Sequence, residues 1–205
     1  APGRAAAEDP GYLTRQLVTC IGNKRALVPH IEAAVARVAG RLGRRPRCMD
    51  VFSGSGVVSR LLKRHAATLV ANDVEDYAAA VSRCHLADGG AVDVQALGDV
   101  VADLNARVDA APLPPGFVEE MYAPRDERRI RKADRVFYTR RNARRIDNYR
   151  RLIVDAPAEF RDLLLGPLLS AASVHANTAG VFKGFYKNRT TKRGQFGGSG
   201  GDALR

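Results

Sequence analysis

The sequence predicts an α/β fold, and the observations behind that prediction lie in residues 47–76. A short apolar strand runs into a tight turn with Gly54 and Gly56, a helical stretch follows, and a second apolar strand leads to Asp73. Glycine has no Cβ atom and so lets a ligand come close to the backbone. The first turn of the next helix offers unpaired N–H groups. This order of elements is typical of nucleoside-binding α/β units.

Each element has a local signal in the sequence. A first helix is expected from about Pro29, because proline is tolerated in the first turn, and Gly43 and Pro46 should end it. Alternating or continuous apolar runs predict the two strands. In chain order, we expect strands at Cys48–Phe52 and Thr68–Ala71 and further helices at Val57–His65, Tyr77–His85, Val92–Val108, Asn142–Val154 and Glu159–Ser173.

The position of Asp73 indicates what the glycine turn binds. It lies 19 residues after Gly54, about where an acid receives ribose hydroxyls in a dinucleotide-binding unit. The third glycine of that fingerprint is absent, because Ser59 stands three residues after Gly56. The residues therefore predict a nucleoside-containing cofactor without completing the pattern for NAD. The alternatives are a turn with no ligand and, for Asp73, a helix N-cap.

The charge of the chain favours an anionic partner. The formal net charge is +11 and the sequence pI is near 10.1, a balance for which nucleic acid is the usual partner. Residues 125–151 hold 12 Arg or Lys against 4 Asp or Glu, and residues 183–205 hold 6 against 1. Aromatic residues are interleaved in both runs, which suits phosphate and base contacts together. The alternative is a pair of solvated helix faces.

Other features exclude several classes of protein. The cysteines, Cys20, Cys48 and Cys84, form no CxxC pair, which indicates a reducing cytoplasm. The four histidines show no metal-ligand spacing, so we expect no metal site. No apolar run reaches the ~20 residues of a membrane span, and no secretory signal is visible.

Several motifs together resemble one enzyme family. In order they read Ile21-Gly22-Asn23-Lys24-Arg25, Asp50-Val51-Phe52-Ser53-Gly54-Ser55-Gly56 and Asn72-Asp73-Val74-Glu75. This order resembles the alpha-group (Dam-like) DNA adenine-N6 methyltransferases of restriction–modification systems. Later segments resemble one branch of that group: Arg135–Thr139, Asn142-Ala143, Ile146-Asp147 and Asn177–Lys187.

The resemblance implies part of a Rossmann-like sheet that binds S-adenosylmethionine, together with a mainly helical, basic target-recognition region. Lys24 would contact the carboxylate end of the cofactor, although an ordinary solvated lysine is the alternative. Gly54 and Gly56 would form the cofactor loop, and Asp73 would bind ribose. The implied cofactor-binding residues are Lys24, Asp50, Phe52, Ser53, Gly54, Gly56 and Asp73.

The implied organisation has four parts: a loose arm at 1–18, a cofactor-binding part at 19–110, a target-recognition region at 111–190 and a flexible Gly-rich tail at 191–205. The expected partner is double-stranded DNA. The candidate DNA-binding residues are Arg140, Arg141, Arg144, Arg145, Lys183, Tyr186 and Lys187.

One departure from the family pattern is serious. The catalytic motif Asp/Asn-Pro-Pro-Tyr/Phe is absent, since Pro114-Pro115 lacks both flanking residues. We therefore expect the N-terminal portion of a methyltransferase, inactive alone, as a split subunit, a truncated product or an expressed fragment. A second chain would carry the motif. The other hypotheses are a non-catalytic DNA-binding or regulatory subunit on the same scaffold, and an RNA methyltransferase.

Overall fold

The chain divides into two compact units, Ala1–Leu86 and Ala87–Arg205. The predicted functional boundaries after residues 18, 110 and 190 stay predictions. The computed structural model describes residues 9, 11–15, 17–18, 24–110, 113–178 and 184–197.

The first unit is an α/β unit, as the sequence predicts. Its elements are a 3₁₀ turn at Arg25–Leu27, α1 (Val28–Leu42), β1 (Arg47–Asp50), α2 (Val57–His65), β2 (Thr68–Ala71) and α3 (Asp76–Leu86). Pro29 lies in the first turn of α1, and Gly43 ends that helix in the left-handed conformation, with φ +62°. The helix α2 and the strand β2 have the predicted bounds.

The two strands pair in parallel, with Arg47 opposite Thr68 and Asp50 opposite Ala71. The helix α2 connects them, which a parallel pair requires. One face of this sheet packs on α2, where the Ser59 hydroxyl donates to Asp50. The other face carries the paired residues Met49 and Val70, which are 57% and 50% exposed. The parallel pair confirms the α/β class, and a wider Rossmann-like sheet stays a prediction.

Part of the segment predicted as a loose arm packs against this unit. The hydroxyl of Tyr12 donates to the backbone carbonyl of His85 in α3, and Leu17 is buried. The core proper is built from α2 and α3, where Leu61, Ala78 and Val81 are fully enclosed. Tyr12 and Leu17 therefore contact the rest of the first unit, and the extent of the loose arm stays a prediction.

The second unit is helical. A 3₁₀ turn at Gly89–Ala91 precedes α4 (Val94–Ala110), α5 (Phe117–Tyr122), α6 (Arg140–Asp155) and α7 (Ala158–Val174). Leu104 of α4 packs with Ile153 of α6 and with Phe160 and Leu164 of α7 to form the core. The helix α7 contains the whole predicted helix Glu159–Ser173, and Pro167 lies inside it.

The helix α5 is an addition to the prediction. Its six residues are too few to show a hydrophobic period. It begins because the carboxylate of Asp147, on α6, accepts hydrogen bonds from the amides of Val118 and Glu119, both at 2.9 Å. Two first-turn N–H groups are thus satisfied by a residue distant in sequence.

Buried Asn177 joins two segments of the second unit. Its side-chain amide donates to the carbonyl of Val136 at 2.7 Å and to that of Gln195 at 2.8 Å. Antiparallel bridges pair Thr178 with Phe185 and Lys187 with Gly194. Residues 179–183 lie outside the described ranges. Among the helices that the structure describes, none is long and apolar enough to cross a bilayer.

Candidate functional site

The glycine turn between β1 and α2 has a conformation that requires glycine. Gly54 and Gly56 have φ values of +50° and +73°, in the left-handed region that side chains with a Cβ rarely adopt. The turn closes through a 2.8 Å hydrogen bond from the amide of Gly56 to the carbonyl of Ser53. A Cβ added to either glycine would meet no atom within 4 Å. The space beside the turn is therefore open to a ligand.

Asp73 is tied to this turn. Its Oδ2 accepts a 2.7 Å hydrogen bond from the amide of Gly54, and its Oδ1 accepts a 3.1 Å hydrogen bond from the amide of Glu75. These backbone donors lower the pKa of Asp73 below its usual value, and the hydrogen bond from the Gly54 amide has the largest effect. The side chain is thus an ionised acceptor, and a carboxylate has about four acceptor positions. Capacity for a ligand hydroxyl remains on Asp73.

Backbone hydrogen bonds beyond the two strands bring the turn and Asp73 together. The amide of Asn72 donates to the carbonyl of Asp50 at 2.8 Å, and the amide of Ser53 donates to the carbonyl of Asn72 at 2.9 Å. The Asn72 side chain adds a 2.9 Å bond to the carbonyl of Val51. The carboxyl ends of the strands are where ligands bind in open α/β sheets.

The remaining predicted cofactor residues differ in what they contact. Asp50 accepts a 2.6 Å hydrogen bond from the hydroxyl of Ser59, so it fixes α2 against β1. Phe52 is 80% exposed next to the turn, and Ser53 is buried within it. Lys24 is exposed just before the first 3₁₀ turn. The other residues of its motif, 21–23, lie outside the described residues.

Arg60 is a residue of this site that the sequence analysis missed. It lies on α2, one turn after Gly56, and is only 1% exposed. Its guanidinium donates to the backbone carbonyls of Tyr12, Arg15 and Gly56 and lies 5.7 Å from the centre of the Tyr12 ring. Burial lowers the pKa of Arg60. Arg60 therefore holds the N-terminal segment and the glycine turn in one arrangement, and no sequence signal separates it from exposed arginines.

The structure gives two of the predicted DNA-binding arginines an internal partner. Glu119 of α5 is nearly fully buried, and Arg144 donates from Nε and Nη2 to its two oxygens at 2.6 Å each. Nη2 of Arg140 lies 2.7 Å from the same carboxylate. These arginines lower the pKa of Glu119, and the hydrogen bonds from Arg144 have the largest effect. Arg140 and Arg144 thus join α6 to α5.

The other predicted DNA-binding residues differ from one another in their contacts and in their exposure. Arg145 pairs with Asp109 of α4 and donates to the hydroxyl of Tyr149 at 3.2 Å. Arg141 is exposed on α6. Lys187 is exposed, with its Nζ 5.1 Å from the centre of the Phe185 ring, and Tyr186 is half-buried. Lys183 lies outside the described residues.

Several of the described aromatic residues in the basic runs make contacts within the second unit. Phe137 stacks edge-on between Tyr122 and Phe185, with ring centres 5.7 and 5.1 Å away. The hydroxyl of Tyr138 donates to the carbonyl of Ala172, and that of Tyr149 to the side chain of Asn105. In the part of the chain that is described, no group of three or more His, Cys, Asp or Glu could hold a metal ion.

Comparison with known proteins identifies the family. The family model of the D12 class N6 adenine-specific DNA methyltransferases matches residues 21–196. The chain belongs to this family. It is also 28% identical over 177 residues to the type II methyltransferase M.NlaIII of Neisseria lactamica. That alignment covers 82% of this chain and 49% of the relative, so the chain spans about half the length of the curated relative it matches. No solved structure matches the chain significantly.

The D12 family match extends over both units. It includes the glycine turn with Asp73 in the first unit and the Glu119–Arg144 pair in the second. The predicted membership of a DNA adenine-N6 methyltransferase family is therefore confirmed. The individual roles of the predicted cofactor and DNA residues stay predictions.

Proposed function

We propose that this chain is the cofactor-binding and DNA-recognition portion of a DNA adenine-N6 methyltransferase, with S-adenosylmethionine as the methyl donor and duplex DNA as the substrate. The observation that carries the proposal is the 2.7 Å hydrogen bond between the Gly54 amide and Asp73. It joins a glycine turn and an ionised acceptor at the ends of two parallel strands, inside the region that matches the D12 family.

The residues present fit this cofactor. The two left-handed glycines leave open space beside the turn, as the close approach of a ligand to the backbone requires. Gly56 is the N-cap of α2 and supplies no side-chain cap, so the start of the helix keeps N–H groups available for polar ligand atoms. Asp73 keeps acceptor capacity for a ribose hydroxyl.

Each part of the site has a distinct task. When bound, the cofactor supplies an electrophilic methyl group. Asp73 would orient the ribose, the backbone at Gly54 and Gly56 would face the methionine part, and Lys24 would pair with its carboxylate. The exposed ring of Phe52 would cover one side of the ligand. Asp50 and Arg60 would position the turn through Ser59 and through the Gly56 carbonyl.

The Asp/Asn-Pro-Pro-aromatic motif would have to come from polypeptide outside these 205 residues, and a second chain is one source. The exposed apolar pair Met49 and Val70 supports this proposal, because such a sheet face is normally covered in α/β proteins. The protein would act in the cytoplasm, where its free thiols stay reduced and DNA is accessible.

Isothermal titration calorimetry with S-adenosylmethionine tests the cofactor site. Asp73→Ala should abolish binding, since it removes the ribose acceptor and frees the turn. Asp73→Asn should keep the bond to Gly54 but weaken binding. Gly54→Val should also abolish binding, because a β-branched residue in the left-handed region costs at least about 1–2 kcal/mol and fills the open space.

Glu75→Ala is the matched control. It removes the neighbouring carboxylate and leaves the backbone amide that donates to Asp73, so it should bind cofactor like the wild type. Circular dichroism should show that all four variants are folded. Wild-type affinity in both Asp73→Ala and Gly54→Val would contradict the assigned site.

A further inference from the structure

The second unit contains a basic cleft of about 800 Å³. None of the predicted DNA-binding residues that the structure describes lines it. One wall is the loop 125–134, and the other holds Thr191 and Arg193. Six of its ten lining residues are basic: Arg125, Arg128, Arg129, Arg131, Lys132 and Arg193.

The two acidic residues of the cleft are already engaged with the backbone. Asp126 accepts a 2.8 Å hydrogen bond from the amide of Arg128, and Asp134 accepts a 2.7 Å hydrogen bond from the amide of Arg131. They shape the loop that carries the arginines. Within the described residues, no ion pair joins any of the six basic side chains to a carboxylate. Six basic residues against two carboxylates leave the lining of the cleft with a net formal charge of +4, from 6 − 2.

This arrangement contrasts with the cluster on α6. There, Arg140 and Arg144 neutralise buried Glu119, and Arg145 pairs with Asp109. A phosphate drawn to those three side chains would compete with carboxylates 2.5 to 2.7 Å away. Among the residues that the structure describes, the basic side chains of the cleft have no ion-paired carboxylate that a phosphate would have to displace.

The two walls of the cleft are fixed to each other. Asn177 joins the carbonyls of Val136 and Gln195, which follow the two wall segments. Gly194 lies directly against Val136, where a Cβ would be 2.3 Å from Cγ2. The Arg193 wall is also braced by Asn188, whose side chain accepts from the amides of Thr190 and Thr191 at 3.0 and 2.9 Å. The basic groups thus line a built concavity rather than a mobile tail.

We propose that this cleft is the main phosphate-binding site for the backbone of duplex DNA. The inference rests on the proposed function and replaces the α6 cluster as the principal phosphate contact. Arginine suits this task because its planar fork binds two oxygens of one phosphate. The volume of the cleft is larger than a single phosphate needs. The cleft would therefore bind consecutive phosphates of one strand and fix the register of the protein on DNA.

Salt-dependent binding of the full chain to a mixed-sequence 20-base-pair duplex tests the proposal, with fluorescence anisotropy as the readout. Each lost phosphate contact lowers the slope of log K against log salt by ~0.9. The double variant Arg128→Gln/Arg131→Gln should lose about 1.8 from the slope and bind at least about 10-fold more weakly near 100 mM salt. Arg128→Lys/Arg131→Lys should keep most of the slope, because charge rather than fork geometry sets counterion release.

The matched control is Arg37→Gln/Arg41→Gln. It removes the same charge from exposed positions of α1, outside the cleft and outside the predicted DNA-binding residues, and should leave the slope unchanged. If the control variant lost slope and the cleft variant did not, the assignment of phosphate binding to the cleft would be wrong. The proposed function would not be affected by that result. Wild-type chain that binds no duplex would overturn the proposed DNA recognition itself. Competition by a 20-nucleotide RNA at least tenfold better than by the duplex would assign the cleft to RNA instead.

Discussion

Arg144 and Glu119 form a two-pronged ion pair between α6 and α5, with both N···O distances at 2.6 Å. The carboxylate is nearly fully buried, whereas a third of the Arg144 side chain is exposed. Arg140 completes the arrangement from the same side. Two of the residues that make the chain basic therefore stabilise the second unit, and net charge alone overstates the charge available to DNA.

Glu119→Gln should destabilise the second unit by about 3 kcal/mol, because removing one partner leaves two arginines around a buried site without a counter-charge. Urea denaturation followed by circular dichroism measures the change. Glu120→Gln is the control, since Glu120 is the exposed neighbour on the same helix. Equal stability of the two variants would show that the ion pair contributes nothing.

Acid should weaken the same pair. The pKa of Glu119 lies below its usual value in the folded chain, so its contribution to stability is present above pH 4.5 and is lost as the pH falls through the folded pKa. The stability difference between the wild type and Glu119→Gln should therefore shrink below pH 4.5. A difference that is constant from pH 7 to pH 3 would contradict this pairing.

His85 should make the first unit sensitive to pH in a different window. Burial, and then the charges of Arg60 and Arg15, lower the pKa of His85 to about 4. The unfolded chain binds the proton near pH 6.5 and the folded chain does not, so stability falls as the pH drops from 6.5 to 4, by on the order of 3 kcal/mol.

Urea denaturation at pH 7, 5.5 and 4 measures this slope. His85→Gln should flatten it between pH 6.5 and 4, whereas His30→Gln, at an exposed position of α1, should keep it. An unchanged slope in His85→Gln would assign the acid sensitivity to other groups.

The sequence predicted the elements whose signals are local. The helix α2 and strand β2 were correct to the residue, because an apolar face or run bounded by turn residues defines each of them. The helix α5 was missed, because its first turn depends on Asp147, which lies 28 and 29 residues further along the chain. Only the tertiary structure supplies such a contact.

The same limit applies to the candidate sites. The glycine turn and Asp73 could be found because fixed spacing along one βαβ unit brings them together. The burial of Arg60 and the pairing of Arg144 with Glu119 could not, because an arginine on a helix has the same sequence signature whether it contacts water, a carbonyl or a carboxylate. The aromatic residues of the basic runs were interpreted as base contacts for that reason, although Phe137 and Tyr138 pack inside the unit.

A substitution at Gly194 tests the close contact with Val136 that joins the walls of the basic cleft. Gly194→Ala should destabilise the second unit by about 2 kcal/mol, because its Cβ would be 2.3 Å from Cγ2 of fully buried Val136. Gly98→Ala in α4 is the opposite control: its Cβ meets nothing within 4 Å, and alanine should stabilise the helix by about 0.5–1 kcal/mol. Thermal unfolding of both variants gives the comparison, and a neutral Gly194→Ala would show that Val136 can move aside.

Methyl transfer should be absent from the 205-residue chain alone, even when cofactor and duplex are both bound. Transfer to N6 requires acceptors that orient the amino group of a flipped adenine and an aromatic ring that stacks on the base. The sequence contains no Asp/Asn-Pro-Pro-aromatic motif to supply them. A radiolabelled methyl-transfer assay on mixed-sequence duplex measures the product, with and without a polypeptide that carries the motif. Addition of that polypeptide should restore transfer, and Asp73→Ala should abolish the restored activity. Robust N6-methyladenine formation by the chain alone would place the catalytic residues within these 205 residues and would contradict the requirement for a second polypeptide.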